Sequence, residues 1–164
     1  MRQPTDVRPV AATLYYLPVR MRVPLKFGAE VATHVTCARA SVTVADGQGA
    51  RATGWGETPL SVTWVWPSTL SFDARQAKLN RLSELLVEAW ATFAVMGHPL
   101  EIGHAFQEQV LPGLLEKVNR EQDIGEPMPL LAALVCCSAF DIALHDAYGN
   151  LHQIPVYETY NERF

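Results

Sequence analysis

Residues 130–146 read LLAALVCCSAFDIALHD, apolar all round a helix rather than along one stripe. A helix with no polar face has to be covered on most sides, and the small residues of its first half suit close packing. Gly149 and then Ile154-Pro155-Val156-Tyr157 follow. That run reads as the start of a strand. The pattern therefore predicts a hinge, with one domain closing on a helix from about Pro129 to Tyr148 and a second domain barely begun at the last residue.

The chain is 164 residues long, enough for one domain and a remnant of another. With 49% hydrophobic and 18% charged residues it has ample material for a core. The net charge is −4 and the 13 Lys and Arg residues do not cluster, which argues against nucleic acid or an anionic membrane as partner. The three cysteines are Cys37, Cys136 and Cys137. An odd count at this spacing fits neither a disulfide nor a zinc framework, so a reducing cytoplasm is expected and the thiols read as buried packing residues. No apolar run near the N-terminus resembles a secretion signal. The longest unbroken apolar run, residues 130–137, is far short of the ~20 needed to span a bilayer.

Residues 1–12 read as a flexible lead-in, 13–150 as a folded domain and 151–164 as the start of another. A first strand is expected over about 13–23, with Pro18 marking an edge or a bulge. Residues 24–30 read as a loop, and a β-branched strand follows over about 34–44. Asp46-Gly47-Gln48-Gly49 is a hairpin turn leading to a third strand ending at Gly54-Trp55-Gly56-Glu57. Residues 58–67 read as a second long loop. A helix is expected from Asp73, capped by Asp73 and Gln76 and closed by Gly97. Its stripe is Leu82, Leu85, Leu86, Ala89, Trp90 and Phe93. A second helix over 100–120 should kink or split at Pro112-Gly113. The order implies an α+β fold: a three-stranded antiparallel meander followed by a helical bundle.

Three constellations could carry chemistry. Asp141 and His145 are four apart on one helix, a zinc-compatible spacing, but no third ligand joins them and packing at a junction is the preferred reading. His98, Glu101 and His104 surround a helix start, where capping and the helix dipole explain them. Trp55, Trp64 and Trp66 could stack on bases, yet no basic residues interleave, so an anchor or an apolar wall is preferred. There is no phosphate-binding glycine loop and no nucleophile elbow.

Three stretches together carry a family likeness. They are Gly54-Trp55-Gly56-Glu57-Thr58-Pro59, the helix AFDIALHDAYG over 139–149, and Ile154-Pro155-Val156-Tyr157. Their order and spacing resemble the N-terminal capping domain of the enolase superfamily, specifically its mandelate racemase and muconate-lactonizing branch. His145 stands where that family more often has Trp, at a packing position. The resemblance implies a lid over a (β/α) barrel that this chain lacks beyond its first residues. It also implies an isomerase or lyase reaction begun by magnesium-assisted proton abstraction α to a carboxylate. No catalytic or metal position of the barrel maps onto these residues, so the chain alone is expected to be inactive. Its substrate-lid candidates are Lys26, Phe27 and Glu30 on residues 24–33 with His34 just after them, and Glu57, Thr58, Trp64 and Trp66 on residues 57–67. Phe27, Trp64 and Trp66 would form an apolar wall, and Lys26, Glu30 and His34 would orient polar substrate groups. Expected partners are a carboxylate-bearing small molecule, a barrel in the same or a separate chain, and further copies in a homo-oligomer. The alternatives are a stand-alone interaction module with no catalysis, or one half of a split enzyme.

Overall fold

The computed structural model describes residues 3–27, 30–121 and 125–164. Strands β1 (Val7–Phe27), β2 (Glu30–Asp46) and β3 (Arg51–Pro59) form one antiparallel sheet in the order β1-β2-β3. Helices α1 (Val62–Val65), α2 (Phe72–Thr92), α3 (Pro99–Gln109), α4 (Leu111–Glu121) and α5 (Leu130–His152) follow, then a short 3₁₀ turn, Val156–Thr159. This is the meander-then-helices α+β order expected above.

The strands are longer than their residue patterns suggest. β1 begins at Val7 instead of Thr13, because residues 7–12 already pair with Val42–Asp46 of β2; the fully buried Val7 also bridges Gly97 through both backbone groups at 3.0–3.1 Å. Gly97 therefore pairs with a strand and does not cap α2, which ends at Thr92 with Phe93 as its cap. The expected loop over 24–33 is mostly strand as well. Pro24–Phe27 and Glu30–Thr33 belong to β1 and β2, and the ladder resumes at Leu25 after a register shift between Arg20 and Leu25. Pro18 pairs with Thr36 on an edge strand, where a missing N–H faces outward. The 46–49 turn forms as expected: Gly49 has φ +88° and the Asp46 carboxylate accepts the Gln48 and Ala50 amides at 2.9 Å.

Alternate residues of β2, Ala38, Ala40, Val42 and Val44, are fully buried beneath the helices. On β3 the matching positions are Gly54 and Gly56, which lie directly on the backbone of α5 at Ala139, Ala143 and Ala147. These alanines recur every four residues, so they form one stripe. Glycine against alanine is what lets helix and strand lie backbone to backbone. The polar edge of β3 is covered by the same helix: Trp55 N–H donates to Asp146 Oδ2 at 2.8 Å and Asn150 Nδ2 donates to the Thr53 carbonyl at 3.1 Å. Unpaired edge groups are thus satisfied. By length and composition alone α5 could cross a membrane. Here its apolarity packs against the sheet and α2 instead.

Ser71, not Asp73, caps α2, its Oγ accepting Ala74 N–H at 3.2 Å. The 100–120 stretch does split, at Val110, one residue before α4 opens with Leu111-Pro112. The core between α2 and α3 is aromatic, with Trp90 and Phe106 stacked at 3.9 Å and 7° and Phe93 edge-on to both. Residues 154–157 do not form the expected strand; Pro155 opens the 3₁₀ turn. All three thiols are free and buried. Burial pushes Cys136 and Cys137 up to about 12, and raises Cys37 as well. A thiol reagent at pH 8 should therefore label none of them in the native protein within minutes and all three after unfolding.

Candidate functional site

Two segments far apart in sequence meet at one edge of the molecule. The far end of the β1–β2 hairpin extends away from its base at Val7, with Val19, Val23, Leu25, Lys26 and Val31 exposed. Beside it the chain leaves β3, turns through α1 and starts α2. A cleft of about 450 Å³ lies between them, lined by Val31, Thr33 and His34 from the hairpin, Thr63 from α1, and Phe72 and Asp73 from α2. His34 is exposed; its ring stands edge-on to Phe72 at 5.5 Å and its Nδ1 is 3.3 Å from Thr33 Oγ1. The Ser71 cap fixes the first turn of α2, and so sets Phe72 against His34. Behind His34 a second hollow opens toward Pro18 and Arg20, and Arg20 is the direct cross-strand partner of His34.

The base of the second segment is pinned by Trp66. Its ring is 1% exposed, Nε1 donates to Glu126 Oε1 at 2.8 Å, and its carbonyl accepts Arg75 Nη1 at 2.6 Å. Ser68 Oγ donates to Glu126 Oε2 at 2.6 Å. These two donors, Ser68 foremost, hold the Glu126 carboxyl below the usual range. Trp66 is therefore an anchor in the core and cannot serve as an apolar wall, which corrects one lid candidate. Trp64, two residues earlier, is 55% exposed next to Thr63.

The other candidates divide. Lys26 is exposed on β1 near the hairpin tip. The side chains of Phe27 and Glu30 lie outside the described residues; only their backbone pairing is set. Glu57 and Thr58 belong to β3, not to a loop, and stand apart from the cleft. Glu57 pairs with Arg39 across the open face of the sheet at 2.7 Å. Thr58 Oγ1 is 2.7 Å from Ser138 Oγ, whose own proton goes to the Val135 carbonyl at 2.8 Å, so Thr58 is the donor. The structure thus brings His34 and Thr63 to one cleft, leaves Trp64 exposed on α1 outside the cleft lining, and makes Glu57 and Thr58 contacts of the sheet and α5.

Sequence reasoning missed a second exposed surface. Trp55, Leu100, Ile142, Tyr157 and Tyr160, each 43–81% exposed, surround the half-buried Asp141 and His145. The three tryptophans singled out in the sequence occupy three different settings: Trp55 here beside Tyr15 at 6.0 Å, Trp64 exposed on α1 and Trp66 in the core. The hints in the sequence were the Asp141–His145 pair, read as packing at a junction, and Trp55. Burial raises the Asp141 carboxyl and lowers His145, whose Nδ1 is 2.8 Å from Tyr160 Oη. Among the described residues no three His, Cys, Asp or Glu side chains are grouped so as to hold a metal ion. The resemblance assigns its magnesium to the barrel, not to these residues.

No family model matches the sequence, and no curated protein does. Solved structures do. An enolase from Bradyrhizobium, complexed with magnesium and mandelic acid, matches 96% of this chain and 35% of its own length at TM-score 0.53 and 20% identity. The dipeptide epimerase of Enterococcus faecalis V583, complexed with Mg and the dipeptide L-Leu-L-Tyr, matches 94% of this chain and 35% of its own length at TM-score 0.50 and 15% identity. An enolase from the alpha-proteobacterium BAL199 with bound Mg matches 93% and 34% at TM-score 0.50 and 11% identity. The chain thus has, over nearly its whole length, the fold found in about a third of the length of these two enolases and of the dipeptide epimerase.

Proposed function

We propose that this chain is the capping, substrate-lid portion of a mandelate racemase-like enzyme. The observation that carries the reading is the cleft where residues 31–33 of one expected lid segment, with the adjoining His34, meet Thr63 of the other. Two segments that must close together over a substrate lie together, and the cleft they form with the start of α2 has apolar groups (Val31, Phe72) and polar groups (Thr33, His34, Asp73), with Trp64 exposed on the neighbouring α1. A lid of this kind excludes water, which strengthens electrostatic interactions with a charged intermediate beneath it. Lys26 and His34 would orient the polar end of a carboxylate substrate, and Trp64 would wall its apolar end. Phe27 and Glu30 are proposed for the same edge from their backbone positions at the hairpin tip. The acid–base groups and the carboxylates for magnesium would come from a barrel of ~200 residues or more, in the same polypeptide or bound to it. A reducing cytoplasm suits the three free thiols. The alternatives are a stand-alone interaction module and one half of a split enzyme.

The test is made in the source cells, with an affinity tag at the N-terminus of the native coding region. The tagged species is sized and assayed in D₂O for exchange of the α-proton of mandelate and of dipeptides. The expected species carries a barrel, covalently or tightly bound, and its exchange activity is lost on magnesium chelation. In that enzyme His34→Ala and Trp64→Ala should raise KM about tenfold, about 1.4 kcal/mol of binding, and leave kcat within about twofold. A tagged 164-residue species with no barrel would overturn the capping reading and favour the interaction module.

A further inference from the structure

The sheet ends unevenly. β3 pairs with residues 37–45 of β2 and leaves at Pro59, whereas β2 itself begins at Glu30. The stretch before Cys37 therefore has β1 on one side and no strand on the other. The last bond on that open side runs from the Leu60 N–H to the Thr36 carbonyl at 2.8 Å. Backbone groups alternate between the two sides of a strand. His34, two residues before Thr36, therefore turns its N–H and C=O to the same open side. Among the described residues no group outside the sheet is hydrogen-bonded to the His34 main chain.

The two sides of the hairpin are built differently. β1 carries Pro18 and Pro24 and the exposed Arg20, Arg22 and Lys26, residues that discourage the addition of a further strand. Residues 31–36 read VATHVT, with no proline and no Lys, Arg, Asp or Glu, and four of the six are β-branched. That composition suits an edge on which another extended chain can lie. The cleft of about 450 Å³ runs along this edge, with Thr63, Phe72 and Asp73 on its far wall. Its volume is that of a small-ligand site. Leu60 already occupies the edge at Thr36, so the open part covers only residues 31–35. So short an edge does not supply the ~1,200 Å² of a stable dimer. Asp73 is exposed and has no ion pair among the described residues. Its carboxylate suits an ammonium group in the cleft and opposes a second carboxylate there.

We propose that the open edge of β2 at His34 is a subsite for the main chain of a short, extended peptide. The subsite rests on the capping reading and names its substrate class. One residue of the ligand lies along β2, its N–H donating to the His34 carbonyl and its C=O accepting the His34 N–H. Recognition through the main chain tolerates different ligand side chains, which meet Val31 and Phe72 as apolar surface. It disfavours hydroxy acids such as mandelate, which carry no amide N–H to pair. The ring and the main chain of His34 act separately: the ring stands against Phe72 at 5.5 Å, and the main chain forms the edge.

Two measurements separate the subsite from the capping reading. In the tagged species, α-proton exchange in D₂O is compared for L-Ala-L-Val and for its depsipeptide, in which an ester oxygen replaces the peptide N–H. The depsipeptide should have a KM about tenfold or more above the peptide, because it loses a hydrogen bond and sets an oxygen against the His34 carbonyl. His34→Ala keeps the main chain and should keep that ratio. His34→Pro also deletes the edge N–H and should raise the peptide KM about tenfold beyond His34→Ala. Exchange of mandelate without peptides, or equal KM for peptide and depsipeptide, would overturn the subsite and leave the capping reading standing. The second measurement is made on the full 164-residue chain, ¹⁵N-labelled and titrated with acetyl-L-valine N-methylamide. The His34 amide proton should move downfield and saturate, and should not move with the analogue in which oxygen replaces the valine N–H. An unmoved His34 amide would overturn the subsite. If the tagged species carries no barrel, the capping reading falls and this titration alone decides the edge. A His34 amide already protected in a ligand-free chain that sediments as a dimer would assign the edge to a second copy and likewise overturn the proposal.

Discussion

Gly54→Ala is expected to destabilise the protein by ~3 kcal/mol or more, a large fraction of the stability of a domain this size. A methyl group at this position would overlap Ala147 N and Ala143 O and sit 2.6 Å from the Asp146 carbonyl carbon. All three are helix backbone, which cannot swing aside as a side-chain tip can. The strand would have to lift away from α5, and the Trp55–Asp146 bond at 2.8 Å would go with it. Gly56 is a second instance, with Ala139 O in the way and Ala143 N at 2.7 Å. Gly113→Ala is the internal control. It lies in α4 with nothing within 4 Å of the added methyl, so the same substitution should stabilise by ~0.8 kcal/mol through helix propensity alone. Urea unfolding followed by circular dichroism separates the two. A Gly54→Ala protein as stable as wild type would mean that α5 does not lie on β3 in this way.

Phe106→Ala should cost ~3–5 kcal/mol. Phe106 is fully buried and stacks flat on Trp90 at 3.9 Å while meeting Phe93 edge-on at 5.2 Å. Truncation removes the ring contacts on both sides and leaves a cavity whose walls belong to different helices. For a domain of this size each kcal/mol lowers Tm by ~2–4 °C, so a drop of about 10 °C or more is expected by calorimetry. The denaturant slope should stay unchanged, since the loss is of stability and not of cooperativity. A drop of only a degree or two would show that α3 is not fastened to α2 through this stack.

Much of the architecture was legible because its signals are local. Asp46-Gly47-Gln48-Gly49 needs only its own residues to turn, Pro112 with Gly113 marks the break between α3 and α4, and the apolar run of α5 announces burial whatever covers it. Boundaries that rest on partners were not legible. Val7 is a strand residue because Asp46 of β2 pairs with it and Gly97 bridges it, and nothing near Val7 in sequence says so. Pro24 and the residues after it read as a loop, yet cross-strand pairing with 30–32 holds them extended. Pro155 suggested a strand, but the Thr159 hydroxyl bonded to the Val156 carbonyl closes a 3₁₀ turn instead.

The candidate site followed the same division. That residues near 24–34 and 57–67 would matter came from a resemblance carried by short motifs, and the meeting of His34 with Thr63 and Phe72 is a tertiary fact. So is the removal of Trp66 from that set. Trp64 and Trp66 are the same residue type two positions apart, and only the donors and acceptors around Glu126 and Arg75 send one inward and leave the other exposed. The residues alone determined the class of fold, the turn chemistry and the helix that must be buried, since periodicity and backbone preference act within a few residues. The long-range packing decided which strand face is covered, which aromatic faces solvent and which strand edge stays open, because burial depends on neighbours the chain brings together only when it folds.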